Sequence, residues 1–437
     1  MNIVKMLSRI YKPAFFLSQI LLILAAGCSP VEVTVVVLTS TSVPSATSQP
    51  QSTETPAPSA TEIPFVPTAV IKIVSHVPLS GDQAEFGTDI MRGTELAVHQ
   101  LSGPLNELGY QVELVTYDDQ NLPERALENA QQVVADPEIL CAVGHYDSDI
   151  TIAASNIYHQ ASLALVAPAA TAPLLTGQSF LEVDRVIART DGQGLVAAQF
   201  AKDQGFKKFF IVSQKSDISL KNAEAFRVES GRLGLKRVGS VISTLTPENT
   251  PNFISMIMTA KPDLVYISSA ADQAIPFLNA LRTAGYGGAI LGTEKLDSRA
   301  MIHDAGPALI NGGMFYTIMH PPAEYYTDAA QFMQDFYVQY GTTPLSFAAR
   351  AYDAAGICLK AIEAASKAKG GALPTRADVA KAIRDLKDYK GITGTYNFND
   401  HGDPDPMQYY VYQVVSTATG SWNQNPIVAT YDITPPR

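Results

Sequence analysis

From residue 70 onward the chain alternates between two hydrophobic periods. Short apolar runs recur at 71–77, 112–117, 139–143, 163–167, 209–213, 238–243, 264–268, 289–292 and 314–319. These are strand lengths, and the runs are nearly continuous in apolar residues, as expected where both faces of a sheet are covered. Between them the apolar residues recur at helical spacing. Ile90, Ala97 and Leu101 lie on one face of a helix ended by Gly103-Pro104, and Leu127, Ala130, Val133 and Val134 mark a second. Leu195, Val196, Gln199 and Phe200 mark a third, and Phe277, Leu278 and Leu281 a fourth, stopped by Gly285. Strands alternating with helices predict βαβ units and an α/β fold built on parallel sheets.

Nine runs make one very wide sheet or two smaller ones. The rhythm restarts at Arg189-Thr190-Asp191, after an irregular stretch over 171–184. Two doubly wound parallel-sheet lobes joined by a multi-strand hinge are therefore expected. The first spans 70–189 and the second 190–317, with the strand after Gly312-Gly313 leading back to the first lobe over 318–392. Helical segments are expected at 329–340, 347–365 and 377–386. A β-rich stretch at 394–415 then belongs to a hinge crossing and C-terminal tail over 393–437, partly in the second lobe.

The first 69 residues carry a different pattern. Lys5, Arg9 and Lys12 precede an apolar stretch over 14–26, followed by Leu24-Ala25-Ala26-Gly27-Cys28. This resembles a signal peptide (1–27) ending in a bacterial lipobox, in which the cysteine thiol takes a diacylglycerol. Ala25 stands where Leu is usual. The apolar stretch is short of the roughly 18–20 residues that span a bilayer, so Cys28 is expected to carry a lipid anchor on the extracytoplasmic face of the cell membrane, each buried CH₂ contributing about 0.8 kcal/mol. Residues 28–69 are rich in Ser, Thr, Pro and Val, a composition that cannot bury enough apolar surface to offset its ordering entropy. They are expected to form a disordered, semi-extended tether.

Composition narrows the function. Across 437 residues the net charge is −11 and only 17% are charged, with no basic stripe, so nucleic-acid binding is excluded as an expectation. Three cysteines do not make a disulfide scaffold. Cys141 and Cys358 read as two inert buried thiols, a bond between them remaining open in an oxidising compartment. No HExxH, Walker A, zinc-spaced cysteine set or G-x-S-x-G motif is present. Hence no enzyme, cofactor or metal is expected, and a monomer is. His303-Asp304 carries capable groups without a motif. The segment Asn399-Asp400-His401-Gly402-Asp403 reads as a polar turn, with calcium as the minor alternative.

Four segments resemble one family. Pro78-Leu79-Ser80-Gly81 with Phe86-Gly87, Tyr117-Asp118-Asp119-Gln120, and Gly144-His145 with Ser148 and Pro168-Ala169-Ala170-Thr171-Ala172-Pro173 are three of them. Ala351-Tyr352-Asp353-Ala354 is the fourth. In this order the segments are similar to the periplasmic leucine/isoleucine/valine-binding proteins, type I periplasmic binding proteins serving ABC importers. The resemblance covers about four-fifths of the chain. It implies capture of a small polar ligand, an amino acid first, by closure of two lobes, with an ABC permease as partner. A sensing role, with the ligand presented to a receptor, and an amide, urea or cationic ligand are the alternatives.

The same resemblance assigns the ligand carboxylate to Ser148, Ala169, Ala170 and Thr171, the ammonium to Glu294, and an aromatic cover to Phe86. The competing expectations are helix capping for Ser148 and Thr171, a solvated acid for Glu294 and a core position for Phe86. Tyr266 reads as core, and His145 as a hydrogen-bonded structural histidine. The family's aromatics after the first and third strands of the second lobe are missing, replaced by residues 213–219 and by Ser269-Ala270-Ala271-Asp272. Asp147, a further candidate contact, and Asp149 add negative charge beside Ser148. Either they face solvent or the ligand is cationic or lacks a carboxylate.

Overall fold

The computed structural model describes residues 67–298, 301, 304–416 and 425–436. The signal peptide, Cys28, the tether up to residue 66 and His303 lie outside them. Two parallel sheets hold the apolar runs. The first comprises β1 (Ala69–Val77), β2 (Tyr110–Asp118), β3 (Ile139–Gly144), β4 (Ala164–Ala167) and β5 (Val183–Arg185), in the order β2-β1-β3-β4-β5. The second holds β6 (Lys208–Ser213), β7 (Lys236–Ile242), β8 (Leu264–Ser268), β9 (Ala289–Gly292) and β10 (Met314–Ile318). Two small strands follow, β11 (Tyr389–Lys390) and β12 (Thr395–Tyr396); then β13 (Met407–Gln413) joins β10 antiparallel and β14 (Ile427–Ile433) joins β13 antiparallel. The order in the second sheet is β14-β13-β10-β9-β8-β6-β7. Every residue of β3, β4, β8, β9 and β10 is buried, which is why these strands read as unbroken apolar runs.

Three strands escape the sequence pattern, the two-residue β11 among them. β5 lies at the end of the stretch expected to be irregular, and its Asp184 and Arg185 hide a fully buried edge strand. β14 lies beyond the expected β-rich stretch, and its seven positions alternate between half-buried and exposed, as on the outer edge of a sheet.

Helices cover both sheets. They are α1 (Ala84–Leu101), α2 (Gly103–Glu107), α3 (Pro123–Ala135), α4 (Ser148–Gln160), α5 (Pro173–Gly177), α6 (Gln193–Asp203), α7 (Asp217–Arg232), α8 (Thr250–Ala260) and α9 (Ala271–Thr283), then Ala330–Tyr340, Ala348–Ala368 and Arg376–Arg384. No helix among the described residues is long and apolar enough to cross a membrane. α1 packs closely on the alanine-rich helix Ala348–Ala368. A Cβ at Gly93 would sit 2.1 Å from the Ala348 carbonyl oxygen, so only glycine permits this approach. Asp89 of α1 accepts from the backbone N–H groups of Leu345, Phe347 and Ala348 at 2.7, 3.0 and 2.8 Å. It thereby caps the long helix from a neighbouring element. Burial raises its pKa to about 6 against the pull of these three donors.

The expectation of two separate thiols is corrected. Cys141 on β3 and Cys358 on the long helix are disulfide-bonded across 217 residues, with Cα atoms 5.9 Å apart. Cys141 and Val143 of β3 share one buried core with this helix, a juxtaposition that spacing along the chain cannot reveal.

The chain crosses between the sheets three times: after β5, after β10 and after β12. Buried charge ties the crossings together. Arg350 donates to the carbonyls of Val186 in the first crossing and Met319 in the second, and to the Tyr326 hydroxyl. Asp403 of the third crossing meets Arg185 Nε at 3.0 Å and Arg189 Nη1 at 3.1 Å, and accepts from Thr176 Oγ1 at 2.6 Å. Arg185 and Asp403 are both fully buried. The turn around Asn399 serves this contact: Asn399 Oδ1 accepts from the N–H groups of His401 and Asp403, which aims Asp403 inward. Removing one member of a buried pair leaves an uncompensated charge, so Asp403→Ala is expected to lower unfolding stability by about 3–5 kcal/mol in urea titration. A loss below about 1 kcal/mol, the range of exposed pairs, would show that the pair does not hold the crossings.

Candidate functional site

At the carboxyl edge of the first sheet two loops converge. The first follows β3 and enters α4. Asp147 is the N-cap of α4: its side chain accepts from the N–H groups of Asp149 and Ile150 at 2.8 and 3.3 Å. This engages the carboxylate with the helix terminus, while Asp149 is exposed. The concern that both acids face an arriving carboxylate is thereby answered for Asp147, which was also a candidate ligand contact. Ser148 follows the cap and is not itself the cap.

The second loop follows β4. Ser148 Oγ accepts from the backbone N–H groups of Thr171 and Ala172 at 3.1 and 3.2 Å. With both acceptor positions of the hydroxyl filled from the protein, its proton is left to donate outward. Ala169 and Ala170 are buried beside it. Thr171 is half-buried and does not cap α5, whose N-cap is Ala172.

From Thr171 a line of hydrogen bonds runs into the second lobe. The Thr171 carbonyl accepts from Thr190 N at 3.0 Å, and the Thr190 carbonyl accepts from Gln193 Nε2 at 3.4 Å. Gln193 Oε1 in turn accepts from Glu294 N at 3.2 Å and from Thr317 Oγ1 at 2.8 Å. Ser148, Thr171 and Glu294, far apart in sequence, therefore belong to one network. Its middle members, Thr190, Gln193 and Thr317, carried no sequence signal beyond being polar, yet all three are buried.

Glu294 opens a single turn after β9. It is not a solvated loop acid: its Oε2 is buried and has no hydrogen-bond partner among the described residues. Burial raises its pKa, opposed by the Gln193 amide and by the charge of Lys295. At the carboxyl edge of the second sheet stand the buried hydroxyls of Ser268 and Ser269, also without partners among the described residues, while the Thr293 hydroxyl beside Glu294 helps hold its pKa down. Ser269 thus opens the segment after β8 where an aromatic was missing from the sequence. Tyr266 is fully buried and stacks on Phe226 at 4.0 Å, as expected of a core residue.

Phe86 lies on the first-lobe rim. Asp118 anchors the loop before it, accepting from Leu79 N at 2.7 Å and Ser80 Oγ at 2.6 Å. Phe86 is half-buried, stacks on Tyr146 at 5.2 Å and meets Phe347 edge-on at 6.1 Å. It also lines a crevice of about 500 Å³ with Asp297, Tyr316, His320 and Tyr412, whose walls come from both lobes. His145 donates or accepts through Nδ1 at Asp119 Oδ2, 2.8 Å away, the structural contact expected of it.

Comparison with known proteins settles the family. The family model described as periplasmic binding protein matches residues 70–420. The chain belongs to that family. Its relatives include the Leu/Ile/Val-binding protein homolog 1 of Brucella melitensis, 25% identical over 349 residues, which cover 79% of this chain and 91% of the relative. An amino acid binding protein of Pseudomonas aeruginosa is 24% identical over 77% of this chain and 88% of its own length. Among solved structures, the leucine-binding protein LivK of Thermotoga maritima superposes with a TM-score of 0.63 at 25% identity, over 84% of this chain and 99% of its own. A substrate-binding protein of Desulfitobacterium hafniense in complex with Leu gives 0.66 at 23% identity, over 82% and 100%. The two-lobed α/β fold and the resemblance to the leucine/isoleucine/valine-binding group are borne out. A solute-binding protein from Rhodopseudomonas palustris in complex with benzoate has the same fold, with a TM-score of 0.59 at 20% identity over 84% of this chain and 98% of its own.

Proposed function

We propose that this chain is a lipoprotein, anchored through Cys28 on the extracytoplasmic face of the membrane, that captures an amino acid between its lobes and delivers it to an ABC permease. It performs no chemistry on the ligand. The hydroxyls of Ser148 and Thr171 and the backbone N–H groups of Ala169 and Ala170 receive the carboxylate at the carboxyl edge of the first sheet, where strand-to-helix loops present N–H groups. Glu294 receives the ammonium. Phe86 and Tyr146 cover the side chain.

One observation carries this reading: the buried Glu294 carboxylate with an unpartnered oxygen. A buried carboxylate is costly unless paired, and no salt bridge to Glu294 occurs among the described residues. A ligand ammonium supplies the missing cation. Because that contact and the Ser148 contact lie in different lobes, a zwitterion touching both stabilises the closed arrangement over the open one. The liganded Desulfitobacterium hafniense relative with Leu supports an amino acid as the ligand class. The hydroxyl-rich second-lobe wall supports a more polar side chain than leucine.

In a thermal-shift panel of amino acids, one member at 100 times its Kd is expected to add about 2.7 kcal/mol of stability. Glu294→Ala is expected to abolish that shift without lowering the melt of the ligand-free chain, since it removes a buried carboxylate oxygen without a partner; Ser148→Ala is expected to abolish the shift and also to lower the ligand-free melt, since it leaves the N–H groups of Thr171 and Ala172 without their acceptor. If no amino acid, amide or urea shifts the melt, the ligand class is wrong.

The pH dependence has a definite sign. In the ligand-free chain the Glu294 pKa is raised above its ordinary 4.5. A bound ammonium favours the ionised form, so binding releases a proton wherever the free carboxyl is protonated. Affinity is therefore expected to weaken as pH falls through the raised value and to level off above it. Calorimetry in buffers of differing ionisation enthalpy reads the released proton. Proton uptake, or constant affinity over about pH 4.5 to 7, would contradict the assignment.

A further inference from the structure

Behind the loop that carries Ser148 lies a second polar cluster that ligand capture does not use. His76 ends the inward face of β1, Asp119 follows β2, and His145 follows β3. All three are buried, exposed by no more than 1%. Gly144 makes the cluster close: it holds a φ of +152°, and a Cβ there would lie 2.2 Å from the His76 carbonyl oxygen. Only glycine lets the ends of β1 and β3 approach this far. The two imidazole rings stand 4.1 Å apart between centroids.

The hydrogen bonds of the rings leave a specific surplus. His145 Nδ1 lies 2.8 Å from Asp119 Oδ2, and His76 Nδ1 lies 2.8 Å from the Tyr158 hydroxyl. Each ring then has one remaining nitrogen, Nε2, and both Nε2 atoms are buried without a partner among the described residues. With Nδ1–H donating to the carboxylate or the hydroxyl, Nε2 presents a lone pair. Two such acceptors in an apolar interior each carry the desolvation penalty of an unmade hydrogen bond. For His76, the Tyr158 hydroxyl on the far ring nitrogen is the kind of partner that orients a histidine toward a metal.

We propose that His76, Asp119 and His145 form a binding site for a divalent transition-metal ion that prefers imidazole, Zn²⁺ foremost. One ligating atom of each lies within 4.8 Å of those of the other two. Bonds of about 2.0–2.1 Å at tetrahedral angles set ligand separations near 3.3 Å, so to complete the site the Asp119 carboxylate, which now accepts from His145 Nδ1 and from Asn121 N at 2.8 and 2.9 Å, must exchange one of these bonds for the ion. Asp119 supplies the negative charge, and two neutral imidazoles suit zinc, copper or nickel over calcium and magnesium. The ion would brace the 144–148 loop from behind, and its binding is independent of which solute the cleft takes.

The test uses the full chain purified without a histidine tag, stripped with EDTA, incubated with ZnSO₄ and desalted. Retained zinc is read by elemental analysis and the melting temperature with and without Zn²⁺. The expected result is about one zinc per chain and a raised melting temperature, both lost in His76→Gln and in His145→Gln and retained in His159→Gln, whose ring lies elsewhere. Should the first two variants fail to fold, Co²⁺ added to the unmutated chain reads the ligands directly: visible d–d absorption of a low-coordinate, imidazole-bound ion supports the site. No retained zinc in the unmutated chain, zinc retained equally in folded His76→Gln and His145→Gln, or a Co²⁺ spectrum matching that of the aqueous ion overturns it. None of these outcomes touches the amino-acid panel, so the two readings fail separately.

Discussion

The side-chain amide of Gln193 is the contact on which the two-lobed arrangement turns. One face of that amide binds the Thr190 carbonyl, itself in register with Thr171 on the first-lobe rim. The other face accepts from Glu294 N and Thr317 Oγ1 on the second-lobe side. A buried amide satisfied at both ends fixes the spacing between two rims that grow from separate sheets, and in a low dielectric such a chain of bonds is stiff. In the arrangement described, the backbones of the proposed carboxylate and ammonium subsites are tied through one residue.

The crossings carry the same logic further out. A two-lobed binding protein must bend without coming apart, which argues for directional contacts at the joints over a greasy interface. Arg350 gathers carbonyls from two crossings, and Asp403 of the third meets Arg185 and Arg189. Such pairs add little net stability compared with apolar packing, but they admit few geometries, and closure between discrete arrangements needs that selectivity. The disulfide from Cys141 to Cys358 lies within the first lobe, between its sheet and its longest helix, and so stiffens a lobe without crossing the joint.

Much of this was legible in the chain. Continuous apolar runs located β1, β3, β4, β8, β9 and β10 within a residue or two, because strands buried on both faces leave no polar alternation. The loops bearing Ser148, Thr171 and Glu294 followed, since residues after a parallel strand lie at the carboxyl edge by construction. The misses share a cause. β5 is buried but carries Asp184 and Arg185, whose charges are neutralised by Arg384 and Asp403 from distant segments. The disulfide, the capping role of Asp147, and the Gln193 bridge likewise depend on partners that only the tertiary fold supplies. Buried polar residues are where local patterning is silent, and they are also where this protein's joints and its candidate subsites sit.

The most direct test is the electron density of the chain crystallised with the amino acid that binds it most tightly. The account requires the ligand carboxylate within hydrogen-bonding distance of Ser148 Oγ and its ammonium on Glu294 Oε2, with the lobes closed upon it. A ligand seated instead in the crevice between Tyr316 and Tyr412, with Glu294 Oε2 still unpartnered, would contradict it.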